Sequence, residues 1–337
     1  MKPLKPIELV PKNDQEWLQW KSEDISSTEV SALYNKCPYS TAFSLFHEKS
    51  GTIDRGELKS KRAFWGKIYE APTAEAIAKM YGVKVRPMKE YMRHAETPKM
   101  GASFDYEVIG LADDWSPEMA QDTHNANLLR DKFVDSGPGI LEIKLVDYFV
   151  HKADWSEEEA PLHIEFQVQH QLEVSRNNWC ALVASVIGYD VHILIRDRDE
   201  DFGKTLCRKI TKFWKMVADK TPPKADYSED ADTIKKLYTH SILNMAVDYC
   251  DNDRFQVVCE KFLEAGRIRK EQEKIEKAAK AEIVDMVREA SSAFSEGYTV
   301  RFTEVQSLSP TVITSDMVGS SYGGRSGYRK ITIKKNK

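Results

Sequence analysis

The stretch Gly139-Ile140-Leu141-Glu142-Ile143-Lys144 decides how this chain is interpreted, because it places an acid and a lysine inside an apolar strand. Side chains two residues apart on a strand point to the same face. Glu142 and Lys144 therefore project together, while Ile143 turns into the core. Upstream, Asp105 ends another apolar segment. Two carboxylates can hold a hard cation, and a lysine beside it can polarise a water or stabilise a charged phosphate. The pattern is typical of metal-dependent phosphodiesterases.

A less specific interpretation of these residues stays open. Glu-x-Lys strings occur by chance in most proteins, usually on a solvated strand face with a weak ion pair. The flanking sequence favours a site. Residues 99–110 predict a hairpin with Asp105 near its turn, and Gly137-Pro138-Gly139 predicts the turn that starts the next strand. Gln167 and Gln171 would share one face of a helix, where amides suit a phosphate or a metal-bound water.

Composition sets limits on the class of protein. The chain has 337 residues, enough for one large domain or two smaller ones, and 41% hydrophobic content is ordinary for a globular core. Its net charge is −4, so a DNA-binding protein of this composition must gather its lysines and arginines in a groove. No stretch approaches the ~18 apolar residues of a membrane span. The N-terminus lacks the apolar segment of a signal peptide, which predicts a cytoplasmic protein.

Several other chemistries are disfavoured by the absence of their motifs. The five cysteines form no CxxC pair, so they are expected to be reduced thiols and not iron–sulfur ligands. There is no GxxxxGK[ST] and no GxSxG, which argues against an ATP-driven motor and a serine hydrolase. Four histidines lack the spacing of a zinc site and are expected to be structural or surface residues: His151, His163, His170 and His192.

The first part of the chain predicts an α/β arrangement. Residues 1–14 are expected to be a flexible arm. Hydrophobic periodicity with glycine and proline stops predicts helices at 27–49 (with a proline turn), 62–81, 161–187 and 201–218. Short β-branched segments predict strands at 83–90, at 103–110, around Glu142 and at 191–195. Thr221-Pro222-Pro223 ends this part, so we place the domain at residues 15–225.

The remaining residues, 226–337, have a different composition and are expected to form a C-terminal helical extension. Residues 229–250 are predicted to be helical. Residues 253–292 predict a long charged helix, because Glu and Lys alternate there at i, i+4. Segments 298–305 and 328–335 are predicted to be strands, giving a terminal β-hairpin or a flexible tail.

Five sequence blocks together carry a family resemblance. Each is weak alone, but their order along the chain is specific, and they lie at residues 17–30, 64–70, 101–105, 141–144 and 167–169. The blocks include Trp65-Gly66 with Glu70, the Leu-Glu-Ile-Lys strand and Gln167-Val168-Gln169. The set resembles the lambda-exonuclease branch of the PD-(D/E)XK nucleases, the YqaJ-like viral recombinase family. The resemblance covers about residues 15–225.

The resemblance implies a fold and an activity. The fold would be a restriction-endonuclease-like core, a mixed sheet flanked by helices, with the helical extension after it. The activity would be a Mg²⁺-dependent (or Mn²⁺-dependent) 5′→3′ exonuclease acting on double-stranded DNA ends. The enzyme would be encoded by a phage or prophage and act in the bacterial host cytoplasm. It would leave 3′ single strands for a single-strand annealing recombinase partner and form a homo-oligomeric ring, a trimer or a tetramer.

The resemblance also implies roles for individual residues. Asp105, Glu142 and the backbone carbonyl of Ile143 would bind the metal. Lys144 would orient the attacking water and help to deprotonate it, and Gln167 would orient Lys144 or the water.

Further positions match the family's motifs. Glu70 would face the metal site. Contacts to a terminal 5′-phosphate would fall on Lys21 and Thr28, with Ser103 as a further contact. Family members carry arginine where this chain has Lys21, and lysine lacks the bidentate fork of arginine. We therefore expect a weaker preference for phosphorylated ends.

Two alternatives belong to other functional classes. One is another PD-(D/E)XK nuclease, such as an endonuclease, which would cleave circular as well as linear duplexes. The other is a non-catalytic DNA-end-binding recombination protein, which would bind ends without cleaving them in the presence of magnesium or manganese.

Overall fold

The computed structural model describes residues 4–54, 61–113, 115–116, 119–120, 122–186, 190–239, 242–305 and 328–335, the last segment by its backbone alone. The chain divides into two units, Met1–Ser241 and Ile242–Lys337. Within those described segments, no helix combines the length and the apolar character needed to cross a membrane.

A mixed five-stranded sheet forms the centre of the first unit. Its strands, in spatial order, are β2 (Val83–Pro87), β5 (Tyr106–Leu111), β6 (Gly139–Val146), β7 (Trp179–Val186) and β8 (Asp190–Asp197). Strands β6 and β7 are parallel, and the other pairs are antiparallel. A smaller sheet contains β1 (Ile7–Leu9), β3 (Tyr91–Arg93) and β4 (Gly101–Ala102).

Helices cover both faces of the central sheet, so the predicted mixed sheet with flanking helices is confirmed. In chain order they are α1 (Asp14–Glu23), α2 (Ala42–Lys49), α3 (Lys61–Tyr81), α4 (Thr123–Ser136), α5 (Tyr148–Asp154), α6 (Leu162–Ser175), α7 (Glu200–Ala218) and α8 (Ala231–Leu237), with a 3₁₀ helix at Val30–Tyr34. On one face Leu141 and Ile143 pack with α3 and α4. On the other, Ile140 packs with α6 and α7. Because faces alternate along a strand, Glu142 points towards α6.

The long helix predicted at residues 161–187 is wrong in its second half. Helix α6 ends at Ser175, and Arg176 follows in the left-handed region with a φ of 65°. The chain then enters β7, which lies between β6 and β8. A continuous apolar run fits a buried strand as well as a buried helix, and this explains the error.

The hairpin predicted at residues 99–110 is also wrong. Strand β4 pairs with β3 in the small sheet, whereas β5 pairs with β2 and β6 in the central sheet. Asp105 therefore lies where the chain crosses from one sheet to the other.

The ends of the first unit differ from the prediction in two places. Ile7–Leu9, in the predicted flexible arm, form strand β1 and pair with β3. At the other end, the unit continues past residue 225, because the Thr41 hydroxyl donates to Asp230 Oδ1 at 2.5 Å. Among the described residues of the predicted helix at 229–250, those of α8 (Ala231–Leu237) are the helical ones.

The second unit contains one long helix and a three-stranded antiparallel sheet. Helix α9 (Asp253–Val287) has no buried residue. It ends before the predicted residue 292 because β9 (Ser292–Phe294) begins there and pairs with β10 (Tyr298–Val305). Strand β11 (Tyr328–Lys335) pairs with β10 on its other side. The two predicted terminal strands therefore pair with each other, and residues 306–327 between them lie outside the described part.

Candidate active site

Glu142 lies in the middle of the central sheet and is only 2% exposed. Three side chains donate hydrogen bonds to it. Gln167 Nε2 and Lys144 Nζ donate to Oε1 at 2.6 and 2.5 Å, and Gln171 Nε2 donates to Oε2 at 2.7 Å. Both glutamines lie on α6, four residues apart, so one helix face holds both oxygens of the carboxylate.

Asp105 reaches the same place from the crossing between the two sheets. Its Oδ2 accepts a hydrogen bond from the backbone N–H of Ile143 at 2.9 Å. Burial, and then the nearby charge of Glu142, raise the pKa of Asp105 to about 8, although Lys144 and the Ile143 hydrogen bond oppose the shift. The two acids that the sequence singled out are therefore neighbours that repel each other.

Glu70 adds a third acid from helix α3. Burial, and then the charge of Glu142, raise the pKa of Glu70, while Lys144 lowers it. Burial disfavours the ammonium of Lys144, but the charges of Glu142 and Asp105 outweigh this and raise its pKa. Lys144 thus lies near all three acids, and Lys67 also lowers the pKa of Glu70.

This donor set fits a divalent cation. Carboxylate oxygens are the ligands of hard cations, and a cation would offset the repulsion between Asp105 and Glu142 that raises the pKa of Asp105. The backbone carbonyl of Ile143, the residue after Glu142 on β6, stays the predicted third ligand.

A cavity of about 860 Å³ opens beside Lys144 and Gln167. Its wall also includes Thr28, Arg62 and His163. Thr28 is thus the one predicted phosphate contact that the structure brings to the described lining of this cavity. The cavity wall presents hydrogen-bond donors and positive charge beside the acids. This combination attracts an anionic group such as a phosphate.

The other two predicted phosphate contacts lie differently. The Lys21 ammonium is 4.8 Å from the ring centroid of Trp17, and this residue does not contribute to the cavity as the described residues define it. The backbone carbonyl of Ser103 accepts a hydrogen bond from Gln171 at 3.0 Å, so Ser103 is tied to the Glu142 cluster.

Sequence reasoning gave no role in the cavity to Arg62 or His163. Both carry a helical signal that could have found them. Arg62 is two i, i+4 steps before Glu70 on α3, and His163 is one such step before Gln167 on α6. Residues at this spacing share a helix face.

A second cluster has the residue types of a metal site, but its hydrogen bonds argue against one. The ligand atoms of His94, Glu173 and Cys207 lie within 4.8 Å of one another. However, His94 Nδ1 accepts the backbone N–H groups of Glu96 and Thr97, at 3.2 and 2.8 Å. The other ring nitrogen, Nε2, faces Glu173 Oε1 at 3.3 Å and the Arg176 guanidinium at 2.9 Å. Both ring nitrogens therefore already have partners within the protein, and Arg176 places positive charge where a cation would bind.

Comparison with known proteins gives one family model and one curated relative. The model of the YqaJ-like viral recombinase domain matches residues 16–178. A Bacillus subtilis (strain 168) protein, described as "Uncharacterized protein YqaJ", is 25% identical over 261 residues, which cover 75% of this chain and 73% of that protein.

Two solved structures resemble this chain at lower sequence identity. The alkaline exonuclease LHK-Exo from Laribacter hongkongensis is 15% identical with a TM-score of 0.45, covering 61% of this chain and 94% of that chain. LHK-Exo in complex with dAMP is 14% identical with a TM-score of 0.46, covering 66% and 98%. Both TM-scores are below 0.5, so these likenesses carry no weight for fold or activity.

Proposed function

We propose that this chain, whose residues 16–178 match the model of the YqaJ-like viral recombinase domain as its ordered motifs predict, is a divalent-cation-dependent DNA exonuclease. The observation that carries the proposal is the cluster of three acids, in which Glu142 is buried and Asp105 and Glu70 are half-buried. Asp105, Glu142 and Glu70 lie close enough to raise the pKa of Asp105 and Glu70, with Lys144 as their shared cation. Buried like charges with perturbed pKa values are typical of catalytic sites.

The residues of the chain have distinct roles in this proposal. Asp105, Glu142 and the Ile143 carbonyl would hold Mg²⁺ or Mn²⁺, with Glu70 beside them. When bound, the cation supplies electrostatic stabilisation of the phosphate charge and a more acidic water.

Lys144 and Gln167 are the groups beside the acids that face the cavity. The acids raise the pKa of Lys144, and the charge of a bound cation would oppose that shift. Lys144 would then orient the attacking water and help to remove its proton, and Gln167 would fix the position of Glu142 and of that water. The water oxygen forms a bond to the phosphorus of the DNA while the bond from phosphorus to a sugar oxygen of the DNA strand breaks. That leaving oxygen takes up a proton.

The finer parts of the proposal concern the substrate and the partners. We propose 5′→3′ resection of double-stranded ends, which leaves 3′ single strands for an annealing protein. The enzyme would act as a homo-oligomeric ring around the DNA. Light scattering on the purified protein tests the ring, because a monomer at micromolar concentration, with or without DNA, contradicts it.

The main experiment uses linear and covalently closed circular duplexes of one sequence. Each is incubated with Mg²⁺, with Mn²⁺ or with EDTA, and the linear duplex is labelled at its 5′ or its 3′ ends. We expect cation-dependent release of the 5′ label from the linear duplex, retention of the 3′ label on a single strand, and no change in the circle. The variant Glu142→Gln, which keeps the shape of the side chain, is the matched control and should release nothing.

The alternatives give different results in the same experiment. Cleavage of the circle would show an endonuclease. Binding to linear ends without label release under either cation would show a non-catalytic end-binding protein, and each of these results overturns the proposal.

A further inference from the structure

We propose that Gln171 is a positioning residue that fixes the distance between the two segments that carry the acids. The inference rests on the proposed cation site and goes beyond it, because it assigns cation affinity to a residue outside the ligand set. Gln171 lies on α6 and is 1% exposed; it is not part of the cavity lining as the described residues define it, whereas Gln167, four residues earlier on the helix, is.

One amide group of Gln171 connects both segments. Its Nε2 donates to Glu142 Oε2 at 2.7 Å and to the backbone carbonyl of Ser103 at 3.0 Å. Ser103 comes two residues before Asp105, at the crossing between the sheets. Glu142 belongs to β6. Gln171 thus holds the Asp105 segment and the Glu142 carboxylate at a fixed separation.

The orientation of this amide follows from its neighbours. Both groups that Nε2 contacts are acceptors, a carboxylate oxygen and a carbonyl, so the NH₂ end must face them. The oxygen end, Oε1, is buried and has no hydrogen-bond partner within the described segments. A buried acceptor without a partner destabilises a fold. An apolar side chain at this position would avoid this cost. We therefore attribute the presence of glutamine here to the two hydrogen bonds that its Nε2 donates.

Gln171 differs in this respect from Gln167. Gln167 donates to Oε1 of Glu142 and also lines the cavity, so it can reach a bound substrate. Gln171 touches the second oxygen and the Ser103 carbonyl, so it acts through Glu142 and the Asp105 segment. Residues that orient metal ligands in this way typically change metal affinity about 10- to 100-fold when they are replaced.

The test measures Mn²⁺ binding directly, by calorimetric titration and electron paramagnetic resonance, on the full chain without DNA. Gln171→Met keeps the length of the side chain and removes the donors. Gln171→Asn keeps the amide but is too short to reach both acceptors. The matched control is Gln169→Met, on the same helix but bonded to the backbone of Asp197 and Asp199. Thermal unfolding identifies the temperature range in which each variant is folded.

We expect Gln171→Met and Gln171→Asn to weaken Mn²⁺ binding at least ~10-fold, while Gln169→Met binds like the unchanged protein. Raising the cation concentration should restore cleavage in both Gln171 variants, because their ligands are intact, but not in Glu142→Gln. If the Gln171→Met chain does not fold, Gln171→Asn decides the result.

The outcomes separate this inference from the proposed function. If the unchanged protein binds no Mn²⁺, the proposed cation site is wrong. If the unchanged protein binds Mn²⁺ and the Gln171 variants bind it equally well, the positioning role alone is wrong. Equal weakening in Gln169→Met would also overturn it, because the effect would then belong to the helix as a whole.

Discussion

Glu142 and Glu173 are both buried glutamates of the first unit, but their surroundings have opposite charge balance. Glu142 shares its site with Asp105 and Glu70, and Lys144 is the cation bonded to it. Glu173, on helix α6, is contacted by two guanidinium groups, with Arg176 Nη1 at 2.7 Å and Arg198 Nη1 at 3.4 Å.

The pKa shifts express the same contrast. Around Glu142, burial and mutual repulsion raise the pKa of Asp105 and Glu70. At Glu173, burial alone would raise the pKa, but the hydrogen bond from His94 and the charge of Arg176 lower it below its usual value. The difference shows how to separate a cation site from a structural ion pair. The first has three acids around the Lys144 ammonium, whereas the second has one acid between two guanidinium groups.

Removing members of the Glu142 cluster should have the largest effect on function. Asp105→Ala, Glu142→Ala and Lys144→Ala are each expected to reduce cleavage at least ~100-fold, the scale for losing one electrostatic stabiliser. DNA binding should change little, because affinity comes mainly from phosphate contacts elsewhere. Single-turnover digestion of an end-labelled duplex and a binding titration in EDTA check the two parts. Near-normal cleavage by Lys144→Ala would remove that residue from the site.

Removing Glu173 should instead affect stability. Glu173→Ala leaves Arg176 and Arg198 without their buried partner, and breaking such a pair costs about 3–5 kcal/mol of unfolding free energy. Cleavage per folded molecule should be unchanged. Urea unfolding measures the first quantity, and activity at a temperature below the transition measures the second.

A second glutamate that contacts Arg198 provides a control for this variant. Glu200, the other partner of Arg198, has a side chain that is 65% exposed, so Glu200→Ala should cost no more than about 1 kcal/mol. Equal losses in the two glutamate variants would show that burial does not distinguish these ion pairs.

The sequence predicted the local parts of the site better than its assembly. The alternation of a strand was enough to place Glu142 on one face and Ile143 on the other, and the structure has both as predicted. Helix α3 was also predictable, since its apolar periodicity and its glycine stop are local signals.

The parts that failed depend on contacts between distant segments. Nothing within residues 99–110 shows that β4 and β5 join different sheets, so the predicted hairpin was wrong although Asp105 was singled out. The β7 strand resembles a continuation of α6 until a neighbouring strand is known. Glu173 looks like any other helical glutamate, because Arg198 comes from another element and His94 from far upstream.

His170, a fully buried histidine near Glu173, gives the surroundings of Glu173 a dependence on acid pH. Burial lowers its pKa to about 4, and the charge of His94 adds to this, although its bond to the Gly101 carbonyl and the charges of Glu29 and Glu173 oppose the shift. The unfolded chain has a histidine pKa near 6.5.

These two pKa values determine whether the free energy of unfolding rises or falls with pH. Between pH ~6.5 and ~4 the unfolded chain binds more protons at this residue, so its contribution to stability is complete above pH ~6.5 and is lost as the pH falls towards 4. The loss should reach at most about 3 kcal/mol. Urea unfolding at several pH values, compared with His170→Gln, measures it. An unchanged pH slope in His170→Gln would contradict the assignment.

The smallest expected effect concerns the end group of the DNA. Thr28 lines the cavity beside Lys144, whereas the Lys21 ammonium faces Trp17. Thr28→Val should therefore reduce the preference for 5′-phosphorylated over 5′-hydroxyl ends by about 5-fold, the value of one hydrogen bond of about 1 kcal/mol. Lys21→Ala should reduce it less, because its charge acts from outside the cavity wall.

The measurement compares digestion rates of matched phosphorylated and hydroxyl duplexes at one salt concentration, since phosphate contacts depend strongly on salt. Thr28→Ser keeps the hydroxyl and should retain the preference. If Lys21→Ala removes the preference and Thr28→Val does not, the terminal phosphate binds near Lys21, and the cavity beside Lys144 holds another part of the strand. Equal rates on both ends in the unchanged protein would mean that neither residue reads the end group, and the acid cluster would then cleave without selecting a phosphorylated end.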